Sequence, residues 1–265
     1  MTNYVSFSLY GKENIYNLGA IENVKLCRTI YPGWVPVVYV DEVVPRYVLN
    51  DLIKNGALVI HGSPELSSNQ RTWRFAASLI KDAEKVIFRD ADSRISFRER
   101  ACVDIWLQSD KALHVMRDHP HHANWIMAGM FGVDARATGR YLAGILETGR
   151  GIEVGEDQKL LAKNLYPFLR KQSLVHDSFF RRETWATPFP TPREGGQFVG
   201  EIIDEHGNPD QDIRDMLVRF ENSPLLRLQL LAEDYRRVKT EQNLSENLSL
   251  TGTILNYLRA SSWRL

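Results

Sequence analysis

Lys85 to Arg94 reads KVIFRDADSR: a short apolar run, Val86 to Phe88, leads straight into two carboxylates, Asp90 and Asp92, with Arg89 and Arg94 on either side. An apolar run of this length bounded by polar signals reads as a buried strand. In a parallel sheet, functional groups collect where strands end, because the loops there converge on a crevice. The flanking sequence supports such a sheet. Tyr4 to Tyr10 alternates and stops at Gly11, Val35 to Val40 closes on Asp41-Glu42, and Ala57 to Ile60 reads as a third strand. Between them, helical patterns run from Asn17 to Ile30, from Tyr47 to Asn55 and from Gln70 to Ala83. The regular alternation of strand and helix predicts an α/β fold with crossover helices.

Downstream, Ala112 to Met116 and Trp125 to Phe131 read as two more strands, and Asp157 to Leu169 as a helix. Thr187 to Gly200, TPFPTPREGGQFVG, reads as loop from its proline and glycine content. After Pro209, a charged helical pattern covers Ile213 to Lys239 and resumes from Leu248 to Leu258. The expected organisation is an α/β domain over 1–208 and a helical extension over 209–265.

Composition excludes some partners. The 33 basic and 33 acidic side chains cancel, which gives no electrostatic footprint for nucleic acid. No apolar run reaches the ~18 residues of a membrane span, so the expected relation to a membrane is at most peripheral. The two cysteines, Cys27 and Cys102, form neither a disulfide framework nor a metal motif, and a reducing, cytoplasmic setting is the simpler expectation.

Two adjacent carboxylates repel unless a cation joins them. For Asp90 and Asp92 that cation is either Arg89 with Arg94, as a structural cluster, or a divalent metal with hard oxygen ligands, Mg²⁺ or Mn²⁺. A second pair, Asp210 and Asp212, follows Asn208-Pro209 at the head of a helical pattern and is read as a helix cap. His114, His119, His121 and His122 crowd nine residues but fit no zinc spacing; His114 is read as a strand residue, with Arg117, Asp118 and His119 lining the crevice at that strand's end. Arg71 and Arg74 share a helical face, either solvated or gripping a phosphate. Glu156-Asp157-Gln158 opens a helix as cap or as site, and His176 is either a packed histidine or a ligand.

Taken in order, SFSLYG (6–11), YPGW (31–34), WRF (73–75), FRDADSR (88–94), MRDHP (116–120), AGMFG (128–132), EDQ (156–158), HDSF (176–179) and FVGE (198–201) resemble the nucleotide-sugar-dependent glycosyltransferases of GT-A type, in particular a bacterial and viral surface-glycan group. The resemblance spans roughly the first 200 residues. It departs at Ala128-Gly129, where similar sequences often carry two glycines.

That resemblance implies a Rossmann-like, mixed but mainly parallel sheet flanked by helices. It implies metal-dependent transfer of a hexosyl or deoxyhexosyl group from a UDP-sugar to a glycan or lipid-linked glycan acceptor. It further implies Asp90, Asp92 and His176 as metal ligands, and Phe7, Ser8, Tyr10, Asp41, Arg71, Arg74, Arg89, Asp90 and Gly129 around the donor. Asp157 would sit under the anomeric carbon of a retaining enzyme; Asp118 or Asp157 would be the base of an inverting one. LRASSWRL (258–265) resembles a junction in multi-module transferases, so a further module is expected after residue 265. The alternatives are a sugar nucleotidyltransferase or another metal-dependent phosphate-handling enzyme, and a non-catalytic glycan-binding module.

Overall fold

A computed structural model of the chain describes residues 1–148 and 156–242. The predicted helix over 248–258 and the junction-like tail lie outside the described residues.

Seven strands form one mixed sheet: β1 (Thr2–Leu9), β2 (Val35–Val40), β3 (Leu58–His61), β4 (Ala83–Arg89), β5 (Leu113–Arg117), β6 (Met130–Asp134) and β7 (Ser173–Asp177), in the order β3-β2-β1-β4-β6-β5-β7. All neighbouring pairs are parallel except those of β6, which runs antiparallel to β4 and β5. The α/β class and the mainly parallel sheet are therefore as expected.

Side-chain alternation along the strands divides the core into two layers. On one face Val5, Phe7, Leu9, Val38, Val40 and Ile87 pack against α1 (Asn14–Ile30), α2 (Arg46–Lys54) and α3 (Phe97–Leu107) through Val24, Leu52 and Trp106. On the other, Val37, Phe88, Phe131 and Val175 pack against a 3₁₀ helix (Gln70–Leu79), α4 (Ala135–Thr148), α5 (Glu156–Asn164) and α6 (Tyr166–Leu169). The final helices, α7 (Gln211–Asn222) and α8 (Pro224–Gln242), pack on the body through Leu217, Ile213 and Leu230, which meet Phe179, Phe180 and Phe198.

Several elements depart from the sequence reading. The helical pattern at 70–83 is a tighter 3₁₀ helix ending at Leu79. The apolar run 125–131 contributes Trp125, Ile126 and Ala128 to the core, but the strand itself begins at Met130. Helices α3 and α4 and strand β7 were not foreseen. The second acidic pair is a helix cap: Asp210 accepts from the backbone N–H groups of Asp212 and Ile213 at the start of α7. No helix among the described residues is long and apolar enough to cross a membrane.

Candidate active site

Strand parity decides which residues reach the cleft. Ser6 and Ser8 lie on the opposite face of β1 from Phe7, and their hydroxyls donate to the Arg74 and Arg71 carbonyls at 2.8 and 3.2 Å. The Ser8 hydroxyl also accepts from the Arg74 N–H at 2.9 Å. These bonds fix the 3₁₀ helix against β1 and set both arginines beside the end of β4. Asp90 follows β4 directly, and a Cβ at Gly129 would overlap its carboxylate. A side chain at 129 would therefore take the space that Asp90 occupies.

The result is a cleft of about 240 Å³ at the carboxyl ends of β1 and β4, lined by Ser8, Tyr10, Tyr16, Arg71, Arg74, Asp90, Ala91, Asp92, Asp157 and Gln158. Arg74, 4% exposed, is its electrostatic centre. Its Nη1 pairs with Asp90 and also donates to the Arg89 carbonyl at 3.1 Å; its Nη2 lies 3.2 Å from Asp157 Oδ2. Burial alone would lower the guanidinium pKa, but Asp90 and Asp157 together raise it. Asp92 is pushed up to about 6, first by burial and then by the Asp90 charge, against which its own backbone, Arg74 and Arg94 pull only partly. Tyr10 is raised by burial, with Arg71 and Arg74 acting in the opposite direction.

This donor set fits a hard divalent cation. Burial and the neighbouring Asp90 charge hold Asp92 back from ionising, which a bound cation would relieve, and Asp90, with a side chain 50% exposed, is open to solvent on the same loop. Among the described residues no three His, Cys, Asp or Glu side chains converge on one point. A cation held by two carboxylates would complete its coordination with water and phosphate oxygens, as Mg²⁺ and Mn²⁺ commonly do.

Other candidates lie elsewhere. Phe7 is 0% exposed and faces α1. Arg89 pairs in register with Phe7, lies on the same face, and ion-pairs with buried Glu99 at 2.8 Å instead of reaching the cleft. Asp41 closes the turn after β2, accepting from the Gly11, Val43 and Val44 N–H groups and from Gln70.

Asp118 is fully buried. Arg98 grips it through two nitrogens at 2.7 and 2.8 Å, while Arg193, Ser178 and the Val199 N–H bind it as well, and these donors hold its carboxyl below the usual range despite burial. Five donors on its two oxygens make it a structural hub. His176 is also buried, on β7, three strands from β4, with its Nδ1 2.9 Å from His114 Nε2. Burial lowers its pKa to about 4; it packs edge-on against His114 and does not line the cleft that holds Asp90 and Asp92. Nor do Arg117 and His119 line the crevice. Arg117 pairs with Asp177 and Glu183, and His119 Nε2 donates to the Ile213 carbonyl.

Tyr16 was missed. It projects from the first turn of α1, 40% exposed, and only the tertiary fold brings it beside Asp92. Its one sequence signal is position: it follows β1 closely, in the stretch that must pass the carboxyl ends of the strands.

No protein-family model matches the chain, and no curated protein matches it. Solved structures give low-level likenesses. A glycosyltransferase involved in glycosylation of the major capsid of PBCV-1 is 14% identical, with 68% of this chain and 83% of that one covered, at a TM-score of 0.44. Mannosyl-3-phosphoglycerate synthase from Rubrobacter xylanophilus is 13% identical over 94% of this chain and 79% of that one, at 0.43. The 4-diphosphocytidyl-2C-methyl-D-erythritol synthase from Anaerococcus prevotii is 8% identical over 66% and 86%, at 0.45.

Proposed function

We propose that this chain is a metal-dependent glycosyltransferase of GT-A type, moving a hexosyl or deoxyhexosyl group from a nucleoside-diphosphate sugar, UDP-sugar by preference, to a hydroxyl of a surface glycan or lipid-linked acceptor. The observation that carries it is the convergence of Asp90, Asp92, Asp157, Arg71, Arg74, Tyr10 and Tyr16 in one cleft at the strand ends. Carboxylates for a cation, guanidinium groups for phosphate and aromatic faces for a base are what a diphosphate sugar requires.

When the glycosidic bond stretches, its electron pair leaves with the diphosphate, and charge builds on the phosphate oxygens. Asp90 and Asp92 would hold Mn²⁺ or Mg²⁺, which supplies Lewis-acid stabilisation of that charge. Arg71 adds donors from the cleft wall, and Arg74 orients both Asp90 and Asp157. Tyr10 and Tyr16 offer ring faces for the nucleobase. Asp157, paired with Arg74, is the group we assign to the face of the sugar opposite the leaving phosphate, where a carboxylate stabilises an oxocarbenium-like centre and favours retention. The extension over 209–265 and a cytoplasmic setting at the inner membrane face belong to the same reading.

The test is a screen of nucleotide sugars for UDP release with Mn²⁺, with a chelator control. Release that requires Mn²⁺ and depends on the sugar supports the reading; none with any donor rejects it. NMR of the product against a donor of known anomeric configuration tests retention separately, and inversion would reject the role given to Asp157.

A further inference from the structure

The loop that carries the two cleft carboxylates has its backbone captured from outside the cleft. Asn23, in the middle of α1 and 0% exposed, donates from Nδ2 to the Ala91 and Ser93 carbonyls at 3.3 and 2.7 Å, and its Oδ1 accepts from the Ile95 N–H at 3.0 Å. The Asp92 carbonyl accepts from the Ile203 N–H at 2.8 Å, beside a bridge between Ser93 and Ile202. The Asp90 carbonyl accepts from the Ser93 hydroxyl at 3.3 Å. Each carbonyl from Asp90 to Ser93 is thus engaged. Gly19, one turn before Asn23, allows the approach: a Cβ there would overlap the Ala91 carbonyl.

Helix interiors disfavour both glycine and asparagine. Here the two occupy one stripe of α1, four residues apart, and that stripe faces the acidic loop. A fully buried amide making three bonds to one five-residue segment fixes the path of that segment more tightly than apolar packing would.

We infer that Asn23 and Gly19 are positioning residues, clamping the 91–95 loop to α1 so that Asp90 and Asp92 are held at one spacing for a divalent cation. This rests on the glycosyltransferase reading for the identity of the site, but the clamp itself is independent of donor and acceptor. Its loss should weaken cation binding more than it weakens the fold, because the cost falls on a preorganised pair of ligands.

The experiment measures Mn²⁺ binding with UDP present, by the electron paramagnetic resonance signal of free Mn²⁺, for the parent, Asn23→Ala, Asn23→Asp and Val24→Ala. Val24 is buried on the same helix and packs against the sheet, so Val24→Ala controls for general destabilisation. The expected result is at least ten-fold weaker Mn²⁺ binding in both Asn23 variants, with Val24→Ala binding like the parent at a comparable loss of Tm. Parent-like binding in a folded Asn23 variant would overturn the inference, whereas a parent that binds no Mn²⁺ would overturn the metal-dependent reading itself. Hydrogen exchange on the parent needs no variant: the Ile95 amide should be protected to the level of α1, and exchange at the rate of an open loop would refute the clamp.

Discussion

Nη2 of Arg74 lies 3.2 Å from Oδ2 of Asp157, across 83 positions of sequence, while the same guanidinium also holds Asp90. One buried cation therefore ties the acid expected at the sugar to an acid expected at the metal. Arg74→Lys keeps the charge but cannot reach both carboxylates in a fork. Turnover should fall by about 10- to 100-fold with little loss of Tm. Arg74→Ala should in addition cost about 2–3 kcal/mol in denaturant unfolding, mainly from Asp157, because Asp90 is half exposed and solvent screens it. Parent-like turnover in Arg74→Lys would contradict the bridging role.

Cation binding should depend on pH through Asp92. Its carboxyl is raised to about 6, so protons compete with the cation below that value. Mn²⁺ affinity measured with UDP should fall by up to about tenfold per pH unit below pH 6 and level off above it. Without metal the sign reverses for stability. The folded state binds more protons at Asp92 than the unfolded state between the ordinary carboxylate value and 6, so this group's contribution declines as pH rises through that window. Unfolding curves at pH 4.5 and 7 with a chelator, compared between the parent and Asp92→Asn, isolate the effect.

Gly129→Ala places a methyl group where the Asp90 carboxylate sits. The obstructing atoms are the end of a flexible side chain, so the cost should appear as displacement of Asp90 and not as unfolding. We expect at least ten-fold weaker Mn²⁺-dependent UDP binding with a Tm within a few degrees of the parent. Unchanged binding would mean that Asp90 does not need this position.

Asp118 provides the contrast. Asp118→Asn leaves Arg98 and Arg193 without their shared anion and should cost about 3 kcal/mol or more, while the folded fraction retains its turnover. A loss of turnover of a thousand-fold with an unchanged Tm would restore Asp118 as a catalytic base.

Much of this molecule was legible because strand burial writes itself as short apolar runs, in β2 and β4, or as alternation, in β1. With β4 came the position of Asp90 and Asp92 at a strand end. What failed has physical causes. Phe7 and Arg89 belong to the right strands but the wrong face, and a one-residue difference in parity moves a side chain from cleft to core. α3 was hidden because its buried residues, Cys102, Val103 and Trp106, are interspersed with the charges of FRERACVDIWL. His176 was expected as a metal ligand and Asp118 as the base of an inverting enzyme, because polarity in a motif does not reveal whether partners arrive from distant segments. Those partners, His114, Arg98 and Arg193, are set by tertiary packing alone. Tyr16 was missed for the converse reason: it reaches the cleft only once α1 folds back against the acidic loop.

The most direct measurement is calorimetric titration of UDP into the parent and into Asp92→Asn, each with Mn²⁺ and with a chelator. The account predicts binding by the parent with Mn²⁺, at least ten-fold weaker binding with chelator, and equally weak binding by Asp92→Asn under both conditions, with a Tm no lower than the parent's. UDP binding that is indifferent to both the metal and the substitution would contradict it.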